Sequence, residues 1–213
     1  MKSILVIGLG RFGRHMALKF IENGHEVMAI DSNEDRADNA VGDIQQILIG
    51  DATEERFMSG LGVDNFDLAV IAIGENFQTV LEITVLLKDL GCKYIVARAT
   101  TNVHKKLLLR NGADYVVYAE REVAERLAIK FGADNIFDYV ELTPEIGIYE
   151  IAVPQKWKGK SIVELSIRNK YHVSVMATKK NGQIFPLPDP RHVFAENESV
   201  MVMGTAEDIK NLS

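Results

Sequence analysis

A short apolar run at residues 3–7, SILVI, breaks abruptly into Gly8-Leu9-Gly10-Arg11-Phe12-Gly13 and then into a helical pattern. Only glycine combines the tight turn, the close backbone approach and the tight helix–strand packing that a Rossmann phosphate loop requires. A G-x-G-x-x-G alone is weak evidence. Here it follows a strand, opens a helix, and precedes by 18 residues Asp31, which ends a second apolar run. That spacing predicts a β-α-β unit for an adenine nucleotide. Its phosphates would lie on amides at the helix start, where the helix dipole favours negative charge, and its ribose hydroxyls on Asp31, with Ser32 beside them. The competing reading is a plain strand–helix turn.

The same rhythm continues through the first two-thirds of the chain. Strands are expected at 3–7, 26–30, 46–49, 68–73, 94–97 and 115–118, with helices near 11–23, 33–40, 54–60, 76–90, 102–110 and 120–131. Alternating strands and helices specify a parallel sheet, and six strands complete a doubly wound Rossmann sheet. Gly24, Gly91 and Gly112 read as helix C-terminal stops. The 120–131 helix carries Val123, Leu127 and Phe131 along one face and ends at Gly132.

Beyond Gly132 the rhythm stops, and all five prolines follow. The chain therefore divides into residues 1–132, an α/β domain, and 133–213, a small α+β domain. In the second, strands are expected at 148–153, 172–178, 183–185 and 199–204, with a turn at Asn181-Gly182, a short helix after Lys160 and a last helix near Thr205. No element is expected at 133–147.

Composition excludes several classes. A net charge of −6 argues against a nucleic-acid partner, which needs a concentrated basic face. Cys92 is the only cysteine, so neither an intrachain disulfide nor a multi-cysteine metal site can form, in keeping with a reducing cytoplasm. The N-terminal apolar run is too short for an export signal, and LAVIAI at 68–73 falls far below the roughly 20 residues of a membrane span. Any membrane association is expected to go through a partner.

The strand ends nominate further ligand residues, because open α/β sheets bind at their carboxyl edge. Asp51, Ala52 and Thr53 follow the third strand, where an adenine ring would lie. Thr53 reads equally well as the cap of a helix whose first turn carries Glu54 and Glu55. Ile73 and Gly74 end the fourth strand. Arg98 ends the fifth, as a phosphate ligand or half of a structural ion pair. Glu120 opens the 120–131 helix on the same side, where an acid also offsets the helix dipole. Arg11, inside the glycine loop, is either a cation for a third phosphate or for a neighbouring subunit's nucleotide, or a solvated surface arginine. The acid at Asp31 disfavours NADP and leaves NAD(H), ATP, ADP and AMP open.

Catalytic equipment is missing from the pattern. There is no Tyr-x-x-x-Lys pair, no G-x-S-x-G elbow and no Walker loop, and the five histidines form no metal-ligand spacing. A nucleotide site without a general acid or base suggests sensing rather than turnover. An NAD-dependent oxidoreductase and a redox-sensing regulator remain the alternatives.

The segments GLGRFG at 8–13, Asp31, GDATEE at 50–55, AIGEN at 72–76, GAD at 112–114 and Glu120 together resemble the RCK (KTN) domains of KtrA/TrkA regulatory subunits of bacterial potassium-uptake systems. The likeness covers nearly the whole chain, with the C-terminal part similar to an RCK-C (TrkA-C) domain, and the length matches the short KtrA type. It implies homodimers assembling into an octameric cytoplasmic ring beneath a potassium-translocating membrane subunit (KtrB/TrkH-like), with ATP and ADP, or NAD/NADH, exchanging in the cleft. It further implies that Arg11 approaches the terminal phosphate and that Glu120 helps hold a divalent cation or sodium. The 120–131 helix would cross to the partner subunit. Ile162, Arg168 and Asn169 are candidates for cyclic di-AMP, which some RCK-C domains bind.

Overall fold

The computed structural model describes residues 1–74, 76–143 and 145–212; Glu75 of the AIGEN segment and Pro144 lie outside them. The chain forms two compact units, residues 1–120 and 121–213. In order, the first comprises β1 (Ser3–Ile7), α1 (Arg11–Glu22), β2 (Glu26–Asp31), α2 (Glu34–Asp38), β3 (Gln46–Ile49), α3 (Glu55–Ser59), β4 (Leu68–Ile71), α4 (Phe77–Asp89), β5 (Ile95–Arg98), α5 (Asn102–Arg110) and β6 (Tyr115–Val117). The helix α6 (Ala119–Phe131) begins at its end and runs into the second unit.

The six strands form a wholly parallel sheet in the order β3-β2-β1-β4-β5-β6. Consecutive side chains of β1 enter opposite cores: Leu5 and Ile7 pack with Ile71, Ile83, Leu87 and Ile95, whereas Ile4 and Val6 pack with Ala17, Val27, Ala29 and Val70. A sheet buried on both faces reads as an unbroken apolar run, which is why ILVI shows no alternation. The order reverses between β1 and β4, and such a switch point opens a crevice at the strands' carboxyl ends.

Local chemistry sets the helix limits. Asn76 caps α4 by accepting from the amides of Gln78 and Thr79, and Thr101 caps α5 by accepting from that of His104. Gly24, Gly91 and Gly112 follow α1, α4 and α5 at φ of 80°, 80° and 116°, the left-handed stop expected of them.

The second unit carries β7 (Ile136–Glu141), β8 (Ile146–Ala152), α7 (Ile162–Leu165), α8 (Ile167–Tyr171), β9 (Ser174–Lys180), β10 (Gln183–Pro186), β11 (Glu198–Thr205) and α9 (Ala206–Lys210). Its strands pair antiparallel as β10-β9-β11-β8-β7. Asn181 and Gly182 link β9 to β10 at φ of 51° and 80°, the doubly positive geometry of a two-residue hairpin. Trp157, fully buried, packs on Phe194 and Tyr171 beneath the sheet, with Val200 and Val202 of β11 in the same core.

Strand β7 was not expected. A register shift between Ile136 and Asp138 breaks the alternation from which a strand is read, and Asp138 sits within it because it pairs with Arg126 of α6 at 2.9 Å. The turn before α3 also differs from expectation. The N-cap is Glu54, not Thr53, whose amide and hydroxyl both donate to Asp51 Oδ1, at 2.9 and 2.7 Å.

Candidate functional site: a phosphate-loop cleft

A cleft of ≈ 760 Å³ opens at the carboxyl edge of the parallel sheet. One wall is the glycine loop. Gly8 sits at φ +96°, which L side chains rarely adopt, and its amide donates to Ile30 O at 2.7 Å. A Cβ on Gly13 would overlap the Gly8 carbonyl, so this glycine lets α1 press against the loop. Gly10 is the N-cap of α1, has open space where a Cβ would stand, and lines the cleft. The three glycines thus serve turn, approach and packing separately.

Asp31 holds the loop in place. It is buried, and its Oδ2 accepts from the Leu9 amide at 2.6 Å while its Oδ1 accepts from Asn33 at 2.9 Å. Each oxygen keeps a lone pair for a further donor such as a ribose hydroxyl. Beyond it lie Ser32, Asp51 and Ala52. The Asp51 carboxyl is held below the usual carboxylate range, first by the Thr53 amide and then by the Thr53 hydroxyl.

Arginines bring positive charge to the cleft. Arg11 starts α1, is exposed, and has no ion-pair partner among the described residues. Arg98 ends β5 with its side chain only 20% exposed, lies 5.4 Å from the Phe12 ring centre, and pairs with Glu120, which is 58% exposed. Its Nε is buried and has no hydrogen-bond partner among the described residues. A Cβ on Gly74 would stand 2.5 Å from Arg98 Nη1, so glycine at that strand end leaves room for the guanidinium. Glu120 is held below the usual carboxyl range, first by its own backbone amide and, against opposing desolvation, by Arg98.

Of the residues nominated from sequence, Gly8, Gly10, Arg11, Phe12, Asp31, Ser32, Asp51, Ala52, Ile73, Gly74 and Arg98 line this single cleft. Gly13, Thr53 and Glu120 stand behind it, supporting Gly8, Asp51 and Arg98 respectively. Among the lining side chains that the sequence pattern does not nominate are His15, Arg36, Thr79 and Ile83. His15 follows Arg11 by one helical turn, a spacing that puts both on one face and was legible. Arg36 and Thr79 needed the fold, since they come from the first turns of α2 and α4.

In the second unit, Ile162 opens α7, and Arg168 and Asn169 are exposed on α8. None of the three lines the clefts of ≈ 550 and ≈ 580 Å³ in that unit. Among the described residues no group of three or more His, Cys, Asp or Glu side chains is placed to hold a metal, and no helix is long and apolar enough to cross a membrane.

Fold and cleft together define a Rossmann-type domain with a phosphate loop, followed by a small antiparallel α+β domain. The TrkA-N domain matches residues 4–119 and the TrkA-C domain residues 147–213, and the chain belongs to the family that joins the two. It is similar to the Ktr system potassium uptake protein C of Bacillus subtilis, 36% identical over 208 residues, covering 98% of this chain and 94% of that protein. The Ktr system potassium uptake protein A of the same organism is 34% identical over 209 residues, with coverage of 98% and 94%. Among solved structures, the GsuK channel superposes with a TM-score of 0.72 at 21% identity, over 99% of this chain and 38% of that one, a likeness of fold. The Shewanella denitrificans Kef CTD in its AMP-bound form has a TM-score of 0.52 at 27% identity, over 60% of this chain and 78% of that one.

Proposed function

We propose that this protein is a non-enzymatic regulatory subunit that gates a potassium channel or transporter, its cleft exchanging ATP and ADP, or NAD(H), to switch the conformation of a ring of subunits. The observation that carries the reading is an intact phosphate-loop cleft within a chain that matches potassium-uptake proteins over 98% of its length. The AMP-bound Shewanella denitrificans Kef CTD, similar over 60% of this chain, supports an adenine nucleotide as the ligand.

In this reading Gly8, Gly10 and the start of α1 receive the phosphates, Asp31 the ribose, and Asp51 and Ala52 the base. Arg98 and Arg11 respond to phosphate number. Arg11 serves either the nucleotide of its own subunit or that of a neighbour. Glu120 exchanges Arg98 for a divalent cation or sodium when nucleotide binds. Residues 1–132 form the sensing domain and 133–213 a dimerisation domain, where Ile162, Arg168 and Asn169 are candidates for cyclic di-AMP. Homodimers built on α6 assemble into an octamer at the inner face of the membrane, held there by the potassium-translocating subunit. A ligand can shift such an assembly only through its different affinities for the two conformations.

Equilibrium binding of ATP, ADP and NADH to the protein and to an Arg11→Ala variant tests the switch. The expected result is a selective loss of ATP affinity in the variant. Equal affinity for ATP and NADH in the wild type, together with normal ATP binding by the variant, would sink the ATP-dependent form of the idea.

A further inference from the structure

Arg36, from the first turn of α2, lines the cleft with its guanidinium beside Asp31, and the same lining includes Ser32, Gly50, Asp51 and Ala52. The phosphate-loop pattern gives it no part. Asn33 caps α2 by accepting from the Arg36 amide at 2.9 Å, which fixes the first turn of that helix and the point from which the arginine departs. The guanidinium Nη1 then lies 4.0 Å from Asp31 Oδ2, with the arginine side chain 51% exposed and the aspartate side chain 4%.

That pairing does not account for the residue. At 4.0 Å and half in solvent it is a loose contact of the kind that contributes little to stability. Asp31 moreover already receives the amides of Leu9 and Asn33. Arg36 is left with donors and planar faces uncommitted at the rim of a cleft whose floor is apolar, with Ile30 and Ala52. A planar guanidinium stacks on aromatic faces, and the attraction grows when the ring is partly desolvated. On the same side Asp51 receives both Thr53 donors on Oδ1, leaving Oδ2 for the exocyclic amine of a purine.

We propose that Arg36 lies over the purine face of a bound adenine nucleotide, so that the cleft recognises the base end independently of how many phosphates the ligand carries. This rests on the nucleotide reading above and assigns that site its base-recognition residue. Asp31 would hold the guanidinium near the ribose through charge, and the base would complete the stack. Phosphate number and the base are then engaged by different arginines.

The test is calorimetric titration of the full chain and its Arg36→Ala and Arg36→Lys variants with ATP, ADP, AMP, NAD and NADP, with thermal melting of each variant as a check on folding. Arg36→Ala is expected to weaken ATP, ADP and AMP by one common factor, roughly 3- to 30-fold, the range for a stacked cation. Arg36→Lys, which keeps the charge and loses the plane, is expected not to restore the affinity. Unchanged affinity in Arg36→Ala would overturn the proposal, as would full recovery in Arg36→Lys, which marks a point charge. A loss confined to NADP would also overturn it, since the residue would then serve a phosphate on the ribose. Should Arg36→Ala not melt cooperatively, the lysine variant alone decides between stack and charge. Failure of the wild-type chain to bind any of the five ligands would remove the nucleotide reading itself, whereas wild-type binding that Arg36→Ala leaves intact removes only the role of Arg36.

Discussion

The backbone amide of Leu9 donates to Oδ2 of Asp31 at 2.6 Å, tying the glycine loop to the end of the second strand across 22 residues of chain. The carboxylate that the Rossmann pattern reserves for a ribose is therefore also a structural acceptor, and its Oδ1 holds the Asn33 amide at the entry to α2. Loop, strand end and helix start are positioned by one side chain.

Asp31→Ala should consequently cost stability as well as affinity. It leaves the buried Leu9 amide and the part-buried Asn33 amide without their acceptor, a loss of about 1–3 kcal/mol for the buried donor that goes unsatisfied. Urea denaturation should register this in the absence of any nucleotide. An unchanged midpoint would mean that water replaces the carboxylate.

Gly10→Ala and Gly13→Ala should separate binding from folding. At Gly10, φ is −62° and nothing stands within 4 Å of a Cβ, so the alanine variant should melt close to wild type while its methyl obstructs the phosphates. At Gly13 the methyl meets the Gly8 carbonyl, and overpacking of this kind costs about 1–3 kcal/mol or more. Melting curves and nucleotide titrations on the pair should show opposite losses.

Glu120→Gln should raise nucleotide affinity when measured without divalent cations. The carboxylate neutralises Arg98 in the unliganded cleft, so its removal frees the guanidinium for a phosphate. A gain of several-fold for ATP, roughly in line with a partly exposed ion pair, is the expected outcome. A loss would mean that Glu120 positions Arg98 rather than competing for it.

Acid should loosen the second unit through Asp138. Hydrogen bonding first from Arg126 and then from the Tyr139 amide holds this carboxyl below its ordinary value of 3.8. A carboxyl depressed in the folded state contributes stability that is fully present above its unfolded value and is lost as pH falls through the lower folded one. Melting temperature should drop as pH goes below 3.8, and Asp138→Asn should flatten that drop.

The apolar face of α6 should govern self-association. Val123, Leu127 and Phe131 are exposed on the chain, Phe131 by 78%. If this face forms the dimer, Leu127→Asp combined with Phe131→Ser should raise the dimer dissociation constant by about 10-fold or more. Light scattering over a concentration series would read it, and an unchanged mass would place association elsewhere.

The strand-turn-helix at 3–22, the parallel sheet and the ligand edge follow from local pattern alone, because glycine geometry, apolar runs and capping residues act within a few positions of one another. The hairpin at Asn181-Gly182 was legible for the same reason. Strand β7 was not, since the register shift at Ile136 and the aspartate inside it make sense only beside Arg126. Thr53 reads equally well as a cap or a base contact in sequence, and the fold gives both of its donors to Asp51. Tertiary structure alone decided that Asp31 anchors Leu9, that Glu120 faces Arg98, and that Arg36 reaches the cleft. These are charge placements between residues 5 to 22 positions apart, set by where strands and helices end in space. Local patterning constrains backbone conformation, while the partner of a charged side chain is chosen by packing of the whole chain.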